Sequence, residues 1–136
     1  MVAPAMEQEL TRSLADFAST TARRVVSASD TTEHGAALRD ALDVARLFRR
    51  ANDSGIGMTR PLLRSIEELV QATATAVPKL MAPELEAAVR ATEGGEITEA
   101  DAWNSAVRSR ALTASIELHA SLESAYRNFF DAEGER

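Results

Sequence analysis

The 136-residue sequence contains no cysteine. That single absence excludes disulfides, thiolate nucleophiles and cysteine-ligated zinc or iron–sulfur centres. Aromatic residues make up 4% of the chain, with one tryptophan and one tyrosine, so alanine, leucine and valine must fill most of any interior. Glycine and proline number six and four, which leaves few positions for turns and favours long, closely packed helices. Lysine is nearly absent too: Lys79 stands alone, and every other basic side chain is arginine. The formal net charge of −6 speaks against a general nucleic-acid coat, whose affinity rests on excess Lys and Arg. No apolar run approaches the roughly 20 residues that a membrane span needs. The opening "MVAPAMEQELTR" lacks the basic-then-apolar pattern of a secretory signal. A soluble, cytoplasmic protein with no membrane span is the expectation.

What is present reads as helix throughout. The hydrophobic content of 45% is that of a folded protein, and the length fits one domain over residues 1–136. Met6, Leu10, Leu14, Phe17, Thr21 and Val25 recur at spacings of four and three, predicting an amphipathic helix from about Pro4 to Ala28. Asp30 followed by Glu33 fits a capping box for a second helix. Its apolar face holds Leu38, Ala41, Leu42, Ala45 and Phe48, and "ANDSGIG" ends it. Thr59 can cap the third helix, with Pro61 in its first turn. The stripe of that helix runs from Leu62 through Ile66, Leu69, Val70 and Thr73 to Val77. Pro78 should kink or end it, and a short helix restarts after Pro83 and stops at Gly94–Gly95. Thr98 with Asp101 offers another capping box, and Ile97 a hydrophobic staple; from there nothing breaks the chain until about Asp131, roughly 50 Å of helix. The fold class is therefore all-α: an elongated bundle of four main helices, the third kinked at Pro78/Pro83, with a long C-terminal helix.

That last helix carries two stripes. Trp103, Val107, Ala111, Ala114, Leu118, Leu122, Ala125 and Phe129 follow an eleven-residue pattern suited to a nearly straight helix. Leu112, Ile116, His119, Tyr126 and Phe130 form a second stripe about a third of a turn away. One flat surface needs one stripe. Either the N-terminal helix lies along this one and buries both, or the second stripe finds a partner outside the molecule. The length of the helix suggests that its Tyr126–Phe130 end outruns its neighbours. The candidate protein interface is accordingly Leu112, Ile116, His119, Tyr126, Phe129 and Phe130.

His119 could join Glu123 one turn later as half of a metal site, but a metal wants three or four protein ligands, or open positions filled by water. The only other histidine is His34, and no Glu-x-x-His pair of the di-iron bundles occurs. No metal or cofactor is expected; His119 reads as a partly buried packing residue whose nitrogen is satisfied by Glu123 or a backbone carbonyl. "SGIGMTR" has closely spaced glycines before a helix start but lacks the Gly-Lys-Ser/Thr ending of a phosphate loop, so it reads as a turn.

Charge is segregated. Arg46, Arg49, Arg50, Arg60 and Arg64 surround the second turn with Asp53 alone opposing them, and form the candidate charged or anion contact. Glu84, Glu86, Glu93, Glu96, Glu99 and Asp101 surround the third turn, opposed by Arg90. Such patches suit head-to-tail assembly or partner selection. No catalytic constellation is recognisable: Glu33 beside His34, and Glu67 beside Glu68, point to different helix faces. The sequence thus points to a non-catalytic structural or interaction protein that self-associates as a subunit of a larger assembly, with itself and other protein subunits as partners and nucleic acid an unlikely one. The alternative is a helical ligand- or nucleic-acid-binding regulator using the Arg-rich tip around residues 46–64, and a cofactor-free helical enzyme is a third and weaker reading.

Overall fold

A computed structural model describes residues 4–134. Among the described residues all regular structure is helical: α1 (Pro4–Ser27), α2 (Thr31–Asp53), α3 (Arg60–Thr92) and α4 (Glu99–Gly134). Among the described residues no helix is long and apolar enough to cross a membrane.

Polar side chains set the starts of the helices. The Asp30 carboxylate accepts the Glu33 backbone N–H at 2.7 Å, while the Glu33 carboxylate reaches back to the Ser29 N–H at 2.8 Å, one residue earlier than a standard capping box. Thr59 accepts from the Leu62 N–H. Thr98 and Asp101 form the reciprocal pair: the Asp101 N–H donates to Thr98 Oγ1 at 3.2 Å and the Thr98 N–H to Asp101 Oδ2 at 2.9 Å. The ends of α2 and α3 share one device. Gly55 (φ +77°) and Gly94 (φ +88°) turn left-handed, and the next residue donates back across the turn, Ile56 to the Ala51 carbonyl and Gly95 to that of Arg90.

The four helices form a ring in the order α1, α2, α4, α3. Among the described residues α1 touches α2 and α3 but not α4, and α2 meets α3 only weakly across the middle. Cross-contacts fix the directions. Ser19 bonds Ser65, and Ala22 and Ser27 lie level with Glu68 and Thr75, so α1 and α3 run parallel. Gly35 meets Trp103 while Asn52 meets Ser124, so α2 and α4 are parallel too.

The interior is built largely from alanine. Ala18, Ala22, Ala37, Ala41, Ala111 and Ala114 are almost wholly buried between Phe48, Leu38, Leu62, Ile66, Leu69 and Leu118. On α1 the buried face is Thr11–Ala15–Ala18–Ala22–Val25 together with Thr21; it shares Thr21 and Val25 with the stripe of larger residues but turns away from that stripe toward the N-terminus, so Met6 and Leu10 remain exposed. Small side chains let helix axes approach closely and bring backbone atoms into dispersion contact.

α3 runs unbroken through Pro78 and Pro83, so the segment after Pro83 continues α3 instead of forming a separate short helix. Each proline removes one intrahelical N–H, leaving the carbonyls of Ala74 and Lys79 without that donor. Both of those residues are exposed, where water can bond the carbonyls. The prolines also mark a boundary, because Leu80 is the last buried apolar side chain of α3. α1 and α2 have 24 and 23 residues against 33 and 36 in α3 and α4. The surplus appears as an antiparallel arm: among the described residues between 81 and 102, Asp101 alone is buried. From Met81 to Thr92 the arm extends about 18 Å. The overhang therefore lies at the N-terminal end of α4, not at the Tyr126–Phe130 end expected from helix length, because residues near Phe129 stay level with Asn52 and Arg60.

Candidate interaction surfaces

The two stripes of α4 separate along the middle of the helix, but Trp103 of the first is 40% exposed and Tyr126 of the second is half-buried against the core. Val107, Ala111, Ala114, Leu118, Leu122 and Ala125 are buried against α2 and α3. The second stripe faces outward, because α1, the helix that would cover it, sits diagonally across the ring. Ile116 is 61% and Phe130 59% exposed, and Leu112 is exposed as well. The reading in which α1 buries both stripes is thereby excluded.

At the C-terminal end the aromatic side chains organise one another. Tyr126 and Phe130 stack with centroids 5.9 Å apart, and Phe129 meets Phe130 edge-on at 5.6 Å. Phe129 is half-buried and carries the Arg60 guanidinium 5.9 Å above its ring. The Tyr126 hydroxyl donates to Glu67 Oε2 at 3.1 Å, and burial, then the Glu67 carboxylate, raise its pKa. His119 corrects the expectation of a partly buried imidazole: it lies on the exposed stripe, with Nε2 3.6 Å from Glu123 Oε1 and both side chains about two-thirds exposed. The pair breaks the apolar stripe into a Leu112–Ile116 part and a Tyr126–Phe130 part. The buried histidine is His34, whose Nδ1 lies 3.0 Å from the Asp30 carbonyl oxygen. Among the described residues no group of three His, Asp or Glu side chains gathers as metal ligands.

The two charge clusters lie at opposite ends of the molecule, a point the sequence leaves open. Arg46, Arg49, Arg50, Arg60 and Arg64 sit at the end that holds the α2–α3 turn, all exposed. Their surroundings are less basic than the sequence suggests. Arg46 and Arg49 approach Asp43 and Asp53 at 4.0 and 3.8 Å, and the fold delivers Glu7 and Glu9 of α1 to the same end. Arg50 belongs to a cleft between α1 and α2 of about 350 Å³, lined also by Leu10, Leu14, Phe17, Leu47 and Ile56.

The acidic cluster sits on the projecting arm. Arg90 grips Asp101 with both guanidinium nitrogens, at 2.6 and 3.2 Å. That grip, with the Thr98 N–H, holds the Asp101 carboxyl down to about 2. The arm also bears an apolar groove lined by Met81, Leu85, Ala88, Ile97 and Ala102. Ile97, expected as a staple, is 71% exposed. Sequence reading overlooks both this groove and the α1–α2 cleft. The available signal is arithmetic: two helices of about 24 residues cannot cover two that are half as long again, so an apolar stripe continued on the longer pair must stay open.

In comparison with known proteins, no family model, no curated protein and no solved structure matched this chain.

Proposed function

We propose that the chain is a non-catalytic interaction protein that self-associates through the outer face of α4 and serves as a subunit of a larger protein assembly. The observation that carries this reading is the exposure of Leu112, Ile116 and Phe130 on one face of α4, with Tyr126 half-buried beside them, a face that α1 does not cover in the ring order of the helices. Exposed apolar side chains gathered on one helix face mark a contact surface more often than chance exposure, here in two parts on either side of the His119–Glu123 pair. Tyr126, Phe129 and Phe130 are the anchors. Their mutual stacking already restricts their rotamers, so little side-chain freedom remains to be lost on binding. A face lying along one helix suits a two-fold contact in which each copy offers the same surface. The cytoplasm is the proposed location, since nothing in the fold depends on a disulfide. Nucleic-acid binding by the Arg-rich end has less support, given the acids of α1 and α2 at that end.

The test is solution mass by light-scattering chromatography at low and high salt, with Ile116→Asp/Phe130→Asp alongside. An apolar contact predicts a wild-type oligomer in both buffers and, at high salt, a helical monomer for the double variant. A wild-type chain that is monomeric in both overturns the proposal.

A further inference from the structure

We propose that the α3–α4 turn of one copy docks into the α1–α2 cleft of a second copy, joining molecules head to tail. This rests on the reading of the chain as self-associating and adds a second contact, of different symmetry, to the α4 face.

The two surfaces complement each other in shape and in charge. The turn presents Ile97, 71% exposed, as an apolar knob. Around it stand Glu93, Glu96 and Glu99, all exposed. The knob is pre-formed: Gly94 supplies the left-handed turn, and the Thr98–Asp101 cap and the Arg90–Asp101 pair fix the chain on either side. Such pre-organisation lowers the entropy lost on docking. At the other end of the molecule the cleft offers about 350 Å³ between Leu10, Leu14, Phe17, Leu47 and Ile56, ample for a branched side chain and its flanks. Arg50 stands in its wall, and Arg46 and Arg49 line the adjoining hollow with Phe17, Leu47, Asp43 and Asp53, so that three arginines there face two aspartates. The acids that approach Arg46 and Arg49 do so at 4.0 and 3.8 Å on open surface, contacts too weak to hold those guanidinium groups against a better partner.

Charge selects the occupant. Two turns meeting each other would set acid against acid, and two clefts would set arginine against arginine. The turn and the cleft lie at opposite ends, so one copy cannot satisfy its own. Turn against cleft between copies brings apolar to apolar and carboxylate to guanidinium. A contact between unlike patches does not close on two molecules; it propagates into a chain or a ring. With charges at its rim it weakens as salt rises, in contrast to the α4 face.

The experiment starts from the Ile116→Asp/Phe130→Asp background, which lacks the α4-face contact. Into it go Ile97→Asp in one chain and Leu47→Asp in another, with Arg46→Gln/Arg49→Gln/Arg50→Gln as a second cleft variant that spares the apolar lining. All are checked for helicity by circular dichroism. Light scattering at low salt should show the background growing in mass with concentration, and each variant alone as a monomer. An equimolar mixture of the Ile97 and Leu47 variants should stop at twice the monomer mass, because each pair retains one intact knob and one intact cleft. High salt should return the background to monomer.

A background that stays monomeric while the wild type is an oligomer overturns this inference and leaves the α4 reading standing. A wild type that is monomeric at both salts overturns both. Turn and cleft variants that still grow alone, or that fail to pair when mixed, place the contact elsewhere and overturn the inference.

Discussion

Replacing Gly35 with alanine sets two energies of known sign against each other. Gly35 lies in the first turns of α2, buried beneath α4. A Cβ added there would stand 2.8 Å from Trp103 Cζ2 and 3.3 Å from Val107 Cγ2, whereas carbon atoms settle about 3.5–4.0 Å apart. Val107 is wholly buried and has nowhere to go, but Trp103 is 40% exposed and its ring can tilt outward. In an isolated helix the substitution would gain up to about 1 kcal/mol. Overpacking costs about 1–3 kcal/mol, and a movable ring holds that cost toward the lower end. The balance is a net loss of about 0–2 kcal/mol, or a fall in Tm of up to about 8 °C for a chain of this length. The sharper readout is optical, because Trp103 is the only tryptophan. Its emission should shift to the red and become more accessible to a soluble quencher, and Gly35→Val should enlarge both changes. A Gly35→Ala chain that gains the full helix-propensity energy with unchanged emission would refute the close approach of α2 and α4.

Further expectations concern the core, the turn and acid. Leu118→Ala removes a fully buried side chain from the centre of the bundle and should destabilise by about 2–5 kcal/mol in chemical denaturation. Gly94→Ala forces a side chain into the left-handed turn at φ +88° and should lower stability by about 1 kcal/mol, with amide shift changes confined to residues near the turn. Asp101 has its folded pKa depressed to about 2 from an ordinary 3.8, so its contribution is complete above about pH 4 and is lost as pH falls toward 2. An acid titration by NMR should show the Thr98 and Asp101 amides moving in that window, and Asp101→Asn should remove the dependence.

The four helices were legible because their boundaries are chemical: Asp30, Thr59 and Thr98 cap, and Gly55 and Gly94 stop. The buried stripe of α4 was legible because an eleven-residue apolar period leaves one solution. Side-chain size misled on α1, where the bundle buries Ala15, Ala18 and Ala22 and leaves Met6 and Leu10 outside; local periodicity ranks large residues first, whereas close axis approach selects small ones. His119 and Leu112 could not be placed from α4 alone. Their exposure depends on whether α1 or α2 becomes the neighbour, a choice made by the diagonal α2–α3 connection. The arm required a comparison among helix lengths that no single segment contains.

The arm has a consequence for cooperativity. In the body each helix is braced by two others, and opening one exposes the shared core. In the arm beyond Leu80, among the described residues between 81 and 102, Asp101 alone is buried, and the Arg90–Asp101 clasp ties the two limbs of the hairpin together. Its free energy of opening is therefore its own, smaller than that of the body, and the chain should melt as two units with separate midpoints. Because α3 and α4 cross the boundary without a break, whatever grips the tip also draws on Leu80 and Trp103 at its base, turning capture at one end into tension within the bundle.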